Sequence, residues 1–104
     1  MSTAIEKSGP VERALNLLDA LAPHALDGLT NKELIAKTGY SPSDVSRDLD
    51  RLAELGRAEK RDGRWHPSPK SLAVHRAYVL HMEAFASRAT ELNSRVEARA
   101  HQLA

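Results

Sequence analysis

The sequence predicts a mainly α fold with one small β-hairpin and a long helix at its C-terminal end. Three observations carry this reading. Apolar residues recur at three- and four-residue spacing in short segments before Gly56, and the segments are bounded by Pro, Gly or a capping Thr or Ser. An Asp62-Gly63 pair sits between two short runs, a strong local signal for a two-residue hairpin turn. No Gly or Pro follows Pro69, which leaves the rest of the chain as one helical candidate, about 50 Å long if unbroken.

Residues 1–9 are polar and aperiodic, as in a flexible tail. Pro10 suits the first position of a helix, and Val11, Ala14, Leu15, Leu18 and Leu21 form its apolar stripe. Pro23 closes it, and His24 to Leu29 form a loop around Asp27-Gly28. Thr30-Asn31-Lys32-Glu33 is a capping box: the Thr30 hydroxyl accepts from the Glu33 amide while the Glu33 carboxylate reaches back. Leu34, Ile35 and Ala36 follow, and Gly39 ends this helix in a left-handed cap. The next helix spans residues 41–55: Ser41 is its N-cap, Pro42 its first residue, and Asp44 complements the dipole. Val45, Leu49, Leu52 and Leu55 make its buried face, and Gly56 ends it. Residues 57–66 read as the hairpin, which Pro67 and Pro69 stop. The expected organisation is a tail (1–9), a small domain (10–68) and a C-terminal helix (69–104).

Composition narrows the function. With 104 residues there is room for one modest core. No cysteine is present, which excludes disulfide scaffolds, thiol catalysis and cysteine-based zinc sites. His24, His66, His75, His81 and His101 share no ligand spacing, so no metal or other cofactor is expected. No nucleophile–base pair, glycine-rich phosphate loop or pair of catalytic carboxylates stands out, so an enzyme is not expected. The absence of a signal core or a spanning apolar run leads to the expectation of a cytoplasmic protein without membrane contact. Net charge is +1, yet its distribution is uneven: Met1 to Gly56 carries −3, Arg57 to Arg76 carries +4, and the remainder is neutral. The concentration of cations around the hairpin suits a polyanionic partner.

Two short helices joined by a tight glycine-containing turn, followed by a hairpin, constitute a winged helix-turn-helix. In that arrangement the second helix offers its N-terminal residues to base edges in the major groove of double-stranded DNA. The inward positions Val45, Leu49 and Leu52 leave Ser43, Asp44, Ser46, Arg47, Asp50 and Arg51 outward. Ser43, Asp44, Ser46, Arg47 and Arg51 are therefore the candidates for base readout. Arg47 suits bidentate reading of guanine, and Asp44 suits acceptance from cytosine N4. Thr30, Asn31, Ser41, Lys60, Arg61 and Arg64 are the candidates for the DNA backbone, where cation–phosphate contacts give salt-sensitive affinity. Helix 41–55 holds two arginines against four acids, a net −2 that opposes phosphate.

The stretches "VERALNLLDAL", "GLTNKELIAKTGYSPSDVSRDLDRLAELGRAEKR" and "GRWHPSPKSLAV" resemble the N-terminal DNA-binding domain of the IclR family of bacterial transcriptional regulators. Val11, Arg13, Ala14, Leu29, Thr30, Glu33, Leu34, Val45 and Arg47 match its motifs, and the likeness runs from Val11 to Leu72. The resemblance implies a DNA-binding transcriptional regulator. Asp44 stands where that family commonly has Thr, and Asp48 where it has an aliphatic residue. The family also carries a large effector-binding domain after this region. The chain ends at Ala104, which leads to the expectation of no small-molecule effector.

In the C-terminal helix Met82, Ala89, Val96 and Leu103 recur every seven residues, with Tyr78, Phe85, Leu92 and Arg99 between them. Such a heptad seam, interrupted at Arg99, is expected to pair with a second copy in a homodimer. Two winged domains would then address half-sites about 34 Å apart or a multiple of it. The expected role is occupation of an operator to block or recruit transcription, with repression favoured over activation. The module could bind protein instead of DNA. Arg47 and Arg51 could be spent on neighbouring acids, and Lys60, Arg61 and Arg64 could be a solvated edge. Trp65 is expected to anchor the hairpin on the core in preference to stacking on a base. The terminal stripe could fold back on its own domain.

Overall fold

The computed structural model describes residues 8–104. Its elements are helix α1 (Pro10–Leu21), a 3-10 turn (Ala22–His24), helix α2 (Asn31–Thr38), helix α3 (Pro42–Glu54), strands β1 (Ala58–Arg61) and β2 (Arg64–Pro67), and helix α4 (Pro69–Leu103). This is a winged helix-turn-helix with a long C-terminal helix. The chain divides into two compact units, the first ending at Leu72 and the second running Ala73–Ala104. Of the expected N-terminal tail, residues 1–7 lie outside the described residues. Ser8 and Gly9 are tied to α1: Gly9 is its N-cap, and the Ser8 carbonyl accepts from Arg13 Nη1 at 2.7 Å.

Local chemistry sets the ends of α2 and α3. The Thr30 hydroxyl accepts from the Glu33 amide at 3.1 Å, and Glu33 Oε1 accepts from the Thr30 amide at 2.8 Å, completing the capping box. Gly39, at φ 75°, ends α2 in the left-handed region. After the turn Gly39-Tyr40-Ser41, the Ser41 hydroxyl accepts from the Asp44 amide at 3.1 Å and starts α3. Tyr40 is buried, and its hydroxyl accepts from Asn16 Nδ2 at 2.6 Å, which pins this turn to α1.

The core of the first unit joins Leu17 and Leu21 of α1, Leu34 of α2, Val45, Leu49 and Leu52 of α3, and Leu29, Tyr40, Ala58 and Trp65. Two expectations are corrected here. On α1 the buried line runs through Ala14, Leu17 and Leu21, whereas Val11 and Leu15 are 75% and 57% exposed. The helix has apolar residues on two adjacent faces, and three- and four-residue spacing fits either. On α3 Leu55 is exposed because the helix ends at Glu54, and Asp48, only 8% exposed, completes the inward line of Val45, Leu49 and Leu52.

The wing is antiparallel, with Ala58 opposite Pro67 and Arg61 opposite Arg64. Asp62 and Gly63 both take positive φ, 53° and 74°, the geometry whose twist matches paired strands. Pro67 is the last residue of β2, opposite Ala58, so the hairpin runs one residue beyond the expected 57–66. The loop before α2 adds a third partner: Leu29 and Trp65 exchange both backbone hydrogen bonds, at 2.9 and 2.7 Å. Trp65 is the anchor expected of it, buried in the core, with its indole N–H donating to Asn31 Oδ1 at 2.9 Å.

Helix α4 opens with Ser68 as its cap, accepting from the Ser71 amide at 3.1 Å. Both serines are buried, and the Arg57 carbonyl accepts from the Ser71 hydroxyl at 2.8 Å and from the Ser68 amide at 3.1 Å. The second unit is the remainder of this helix. Its large apolar side chains, including Tyr78, Met82, Phe85, Leu92, Val96 and Leu103, are all exposed within the chain. Along its own surface Glu91 pairs with Arg95, and His101 Nε2 lies 3.6 Å from Glu97 Oε1. Among the described residues no helix is long and apolar enough to cross a membrane.

Candidate nucleic-acid interface

Burial of Val45, Asp48, Leu49 and Leu52 turns the opposite face of α3 outward. Ser43, Ser46, Arg47 and Asp50 share that face by their spacing, and all four are exposed. Ser41 is exposed at its head. Arg51, one turn after Arg47, is exposed and paired to Glu54 at 3.1 Å. Asp44 is half-buried at the edge of the face, with its Oδ1 3.6 Å from Arg47 Nη2. The face thus offers hydroxyls, one guanidinium fork near its N-terminal end and carboxylates, a mixed donor and acceptor set of the kind that reads base edges.

Charge on α3 differs from what its residue count suggests. Asp48 is buried and accepts from Arg13 Nε of α1 at 2.6 Å. The same guanidinium has Nη2 3.9 Å from Asp44 Oδ1. The hydrogen bond to Asp48, with the two carboxylate charges beside it, holds the Arg13 proton more tightly than usual. One acid of the helix is therefore neutralised from outside it and a second is partly compensated. The opposition to phosphate implied by a net −2 is correspondingly weaker. Sequence reading missed this partnership. The signal for it was an Asp at a core position of an amphipathic helix, since a buried carboxylate requires a cation or several donors.

The wing distributes its cations unequally. Lys60 is exposed, with its ammonium 5.8 Å from the centre of the Trp65 ring. Arg61 is exposed but bonded to Glu59 at 2.7 Å. Arg64 folds inward: Nε donates to the Asp27 carbonyl at 2.8 Å, and Nη2 reaches the Gly28 carbonyl at 3.2 Å and Glu33 Oε1 at 3.1 Å. It ties the wing to the α2 entry loop. Thr30 and Asn31 also hold internal bonds, Thr30 in the capping box and Asn31 to the Trp65 indole. Of the six residues matched to the DNA backbone in sequence, Lys60 is the cation without an ion-pair partner among the described residues.

The entry loop is closely packed. Gly28 has φ +67°, and a Cβ there would lie 2.7 Å from His66 Cε1 and 2.8 Å from the Trp65 carbonyl oxygen. His66 is buried with Nδ1 3.1 Å from the Ala25 carbonyl oxygen. His24 Nδ1 lies 3.0 Å from the Asp27 carboxylate, and this bond lowers the carboxyl's affinity for a proton.

Comparison with known proteins agrees with the geometry. No curated protein matches the sequence. A solved structure, of a protein named as an IclR transcriptional regulator from Silicibacter sp. TM1040, matches with a TM-score of 0.56 and 25% identity. The match covers 64% of this chain and 26% of that one, so the chain spans about a quarter of that protein's length. The profile of the IclR helix-turn-helix domain matches residues 10–62, which run from the start of α1 to the wing turn. The chain belongs to the IclR helix-turn-helix family of DNA-binding, transcription-regulating domains.

Proposed function

We propose that this chain binds operator DNA as a homodimer and represses by occupying the site. In this reading α3 enters the major groove, with Arg47 reading a guanine and Ser43, Ser46 and Asp44 completing the contact. Arg51 would reach the groove edge after leaving Glu54. The Ser41 end of α3 and the Lys60 and Arg61 side of the wing would meet phosphates. Arg64, Thr30 and Asn31 would serve mainly by holding the wing and the α2 entry in place. The observation that carries the reading is the exposed Ser43–Ser46–Arg47–Asp50 face of α3, presented by a helix whose other side is buried.

Dimerisation would use α4. Its apolar stripe at heptad spacing is exposed within the chain, and burial against a second copy would remove it from water at about 25 cal/mol per Å². The test of DNA binding is a salt titration by gel retardation. Log affinity should fall linearly with log salt, and Lys60→Ala should shallow the slope by about 0.9 for each phosphate that the lysine neutralises. Absence of any retarded DNA at low salt would favour a protein-binding adaptor.

A further inference from the structure

Arg13 is half-buried on α1, away from the outward face of α3, yet its guanidinium reaches the recognition helix at two points. Its side chain is 14% exposed, with Nε bonded to Asp48 at 2.6 Å, Nη1 to the Ser8 carbonyl at 2.7 Å, and Nη2 3.9 Å from Asp44 Oδ1. Asp44 Oδ1 has a second cation at similar range, Arg47 Nη2 at 3.6 Å. The two differ in setting: the Arg47 side chain is 68% exposed and Asp44 34%. The Arg47 contact is the shorter but the more exposed, so water and salt screen it more strongly, and the half-buried Arg13 shares the Asp44 charge with it. Arg13 cannot follow Asp44 outward, because Asp48 and Ser8 hold it.

We propose that Arg13 is a positioning residue for base recognition: by fixing Asp48 and sharing the charge of Asp44, it leaves Arg47 weakly held and available to a base. This rests on the DNA-binding reading above. Without Arg13, Arg47 is the one cation paired with Asp44 among the described residues, and it is retained on the protein surface. An arginine that must break a stronger ion pair to reach guanine discriminates less. The chain Asp48–Arg13–Asp44–Arg47 therefore passes from the α1–α3 packing to the reading face through charge, with no change of backbone.

The test uses a charge-neutral double variant, Arg13→Leu with Asp48→Leu, in the full chain. Replacing both members of a buried pair by apolar residues avoids stranding a charge, so the domain is expected to fold. Circular dichroism and thermal melting check this. DNA sites are first selected from random duplexes with the wild type, and Arg47→Ala identifies the base pair that Arg47 reads. The double variant should bind the selected site but discriminate about tenfold less at that base pair. Adding Asp44→Asn, scored against Asp44→Asn alone, should restore discrimination at the Arg47 base pair, because the competing carboxylate is gone; any base that Asp44 itself contacts is scored separately. A purely structural role for Arg13 would lower affinity on all sequences equally and would not respond to Asp44→Asn. If the double variant does not fold, Arg13→Lys replaces it. A single ammonium cannot serve both carboxylates as a guanidinium does, and a loss in the same direction is expected. Unchanged discrimination in whichever variant folds overturns the proposal while leaving DNA binding intact. Failure of the wild type to bind any duplex overturns the DNA-binding reading and the positioning role together.

Discussion

Gly28 and Arg64 show how single residues hold the helix-turn-helix to its wing. Arg64 gathers the carbonyls of Asp27 and Gly28 and the carboxylate of Glu33, while Gly28 lies flat against His66. Gly28→Ala meets two obstacles at once, a positive φ and contacts under 3 Å, one of them to backbone. Its melting temperature should fall well below that of the wild type, whereas Gly63→Ala at the open wing tip, where a Cβ has nothing within 4 Å, should fall less. A Gly28→Ala protein that melts with the wild type would show that the loop adjusts freely. Arg64→Ala is expected to reduce stability more than it flattens the salt dependence of DNA binding, the opposite of Lys60→Ala. None of this was legible locally. Arg64 reads as one more wing cation, and its acceptors lie 31 to 37 residues away.

At the scale of elements, the short helices were legible because their ends are chemical. Thr30 with Glu33, Gly39, Ser41 with Pro42, and Gly56 each act on backbone groups within a few positions, so sequence alone places α2 and α3. Packing faces were less legible. The stripe of α1 was displaced because two adjacent faces are apolar, and the inward line of α3 was missed at Asp48 because its partner Arg13 is 35 residues away. Two predictions belong here. Leu49→Ala, in the fully buried centre of α3, should destabilise by about 2–5 kcal/mol in chemical denaturation. The capping box should make α2 sensitive to acid. The Thr30 amide, followed by the nearby Arg64 charge, holds the Glu33 carboxyl below its ordinary value of 4.5. Its stabilising contribution is thus present above pH 4.5 and is lost as the pH falls through the lower folded value. The drop in melting temperature from pH 6 to pH 3 should be smaller in Glu33→Gln, which keeps an acceptor for the Thr30 amide and cannot titrate. An equal drop would assign acid sensitivity to other carboxylates.

For the whole molecule, the proposal joins a reading face, a basic wing and a helix that binds its own copy. The seam on α4 gives a direct check. In light scattering the chain should have twice its 11.4 kDa mass, and Phe85→Asp with Leu92→Asp should return it to a monomer. A wild-type monomer at high micromolar concentration would remove the dimer and with it the symmetric operator. The measurement closest to the central claim is selection of bound sequences from random duplex DNA by the wild type and by Arg47→Ala. A two-fold symmetric site for the wild type, with preference lost at one base pair per half-site in Arg47→Ala, is the predicted result. Equal binding to all sequences by both proteins would contradict base reading by α3 and leave only a charged wing on a phosphate backbone.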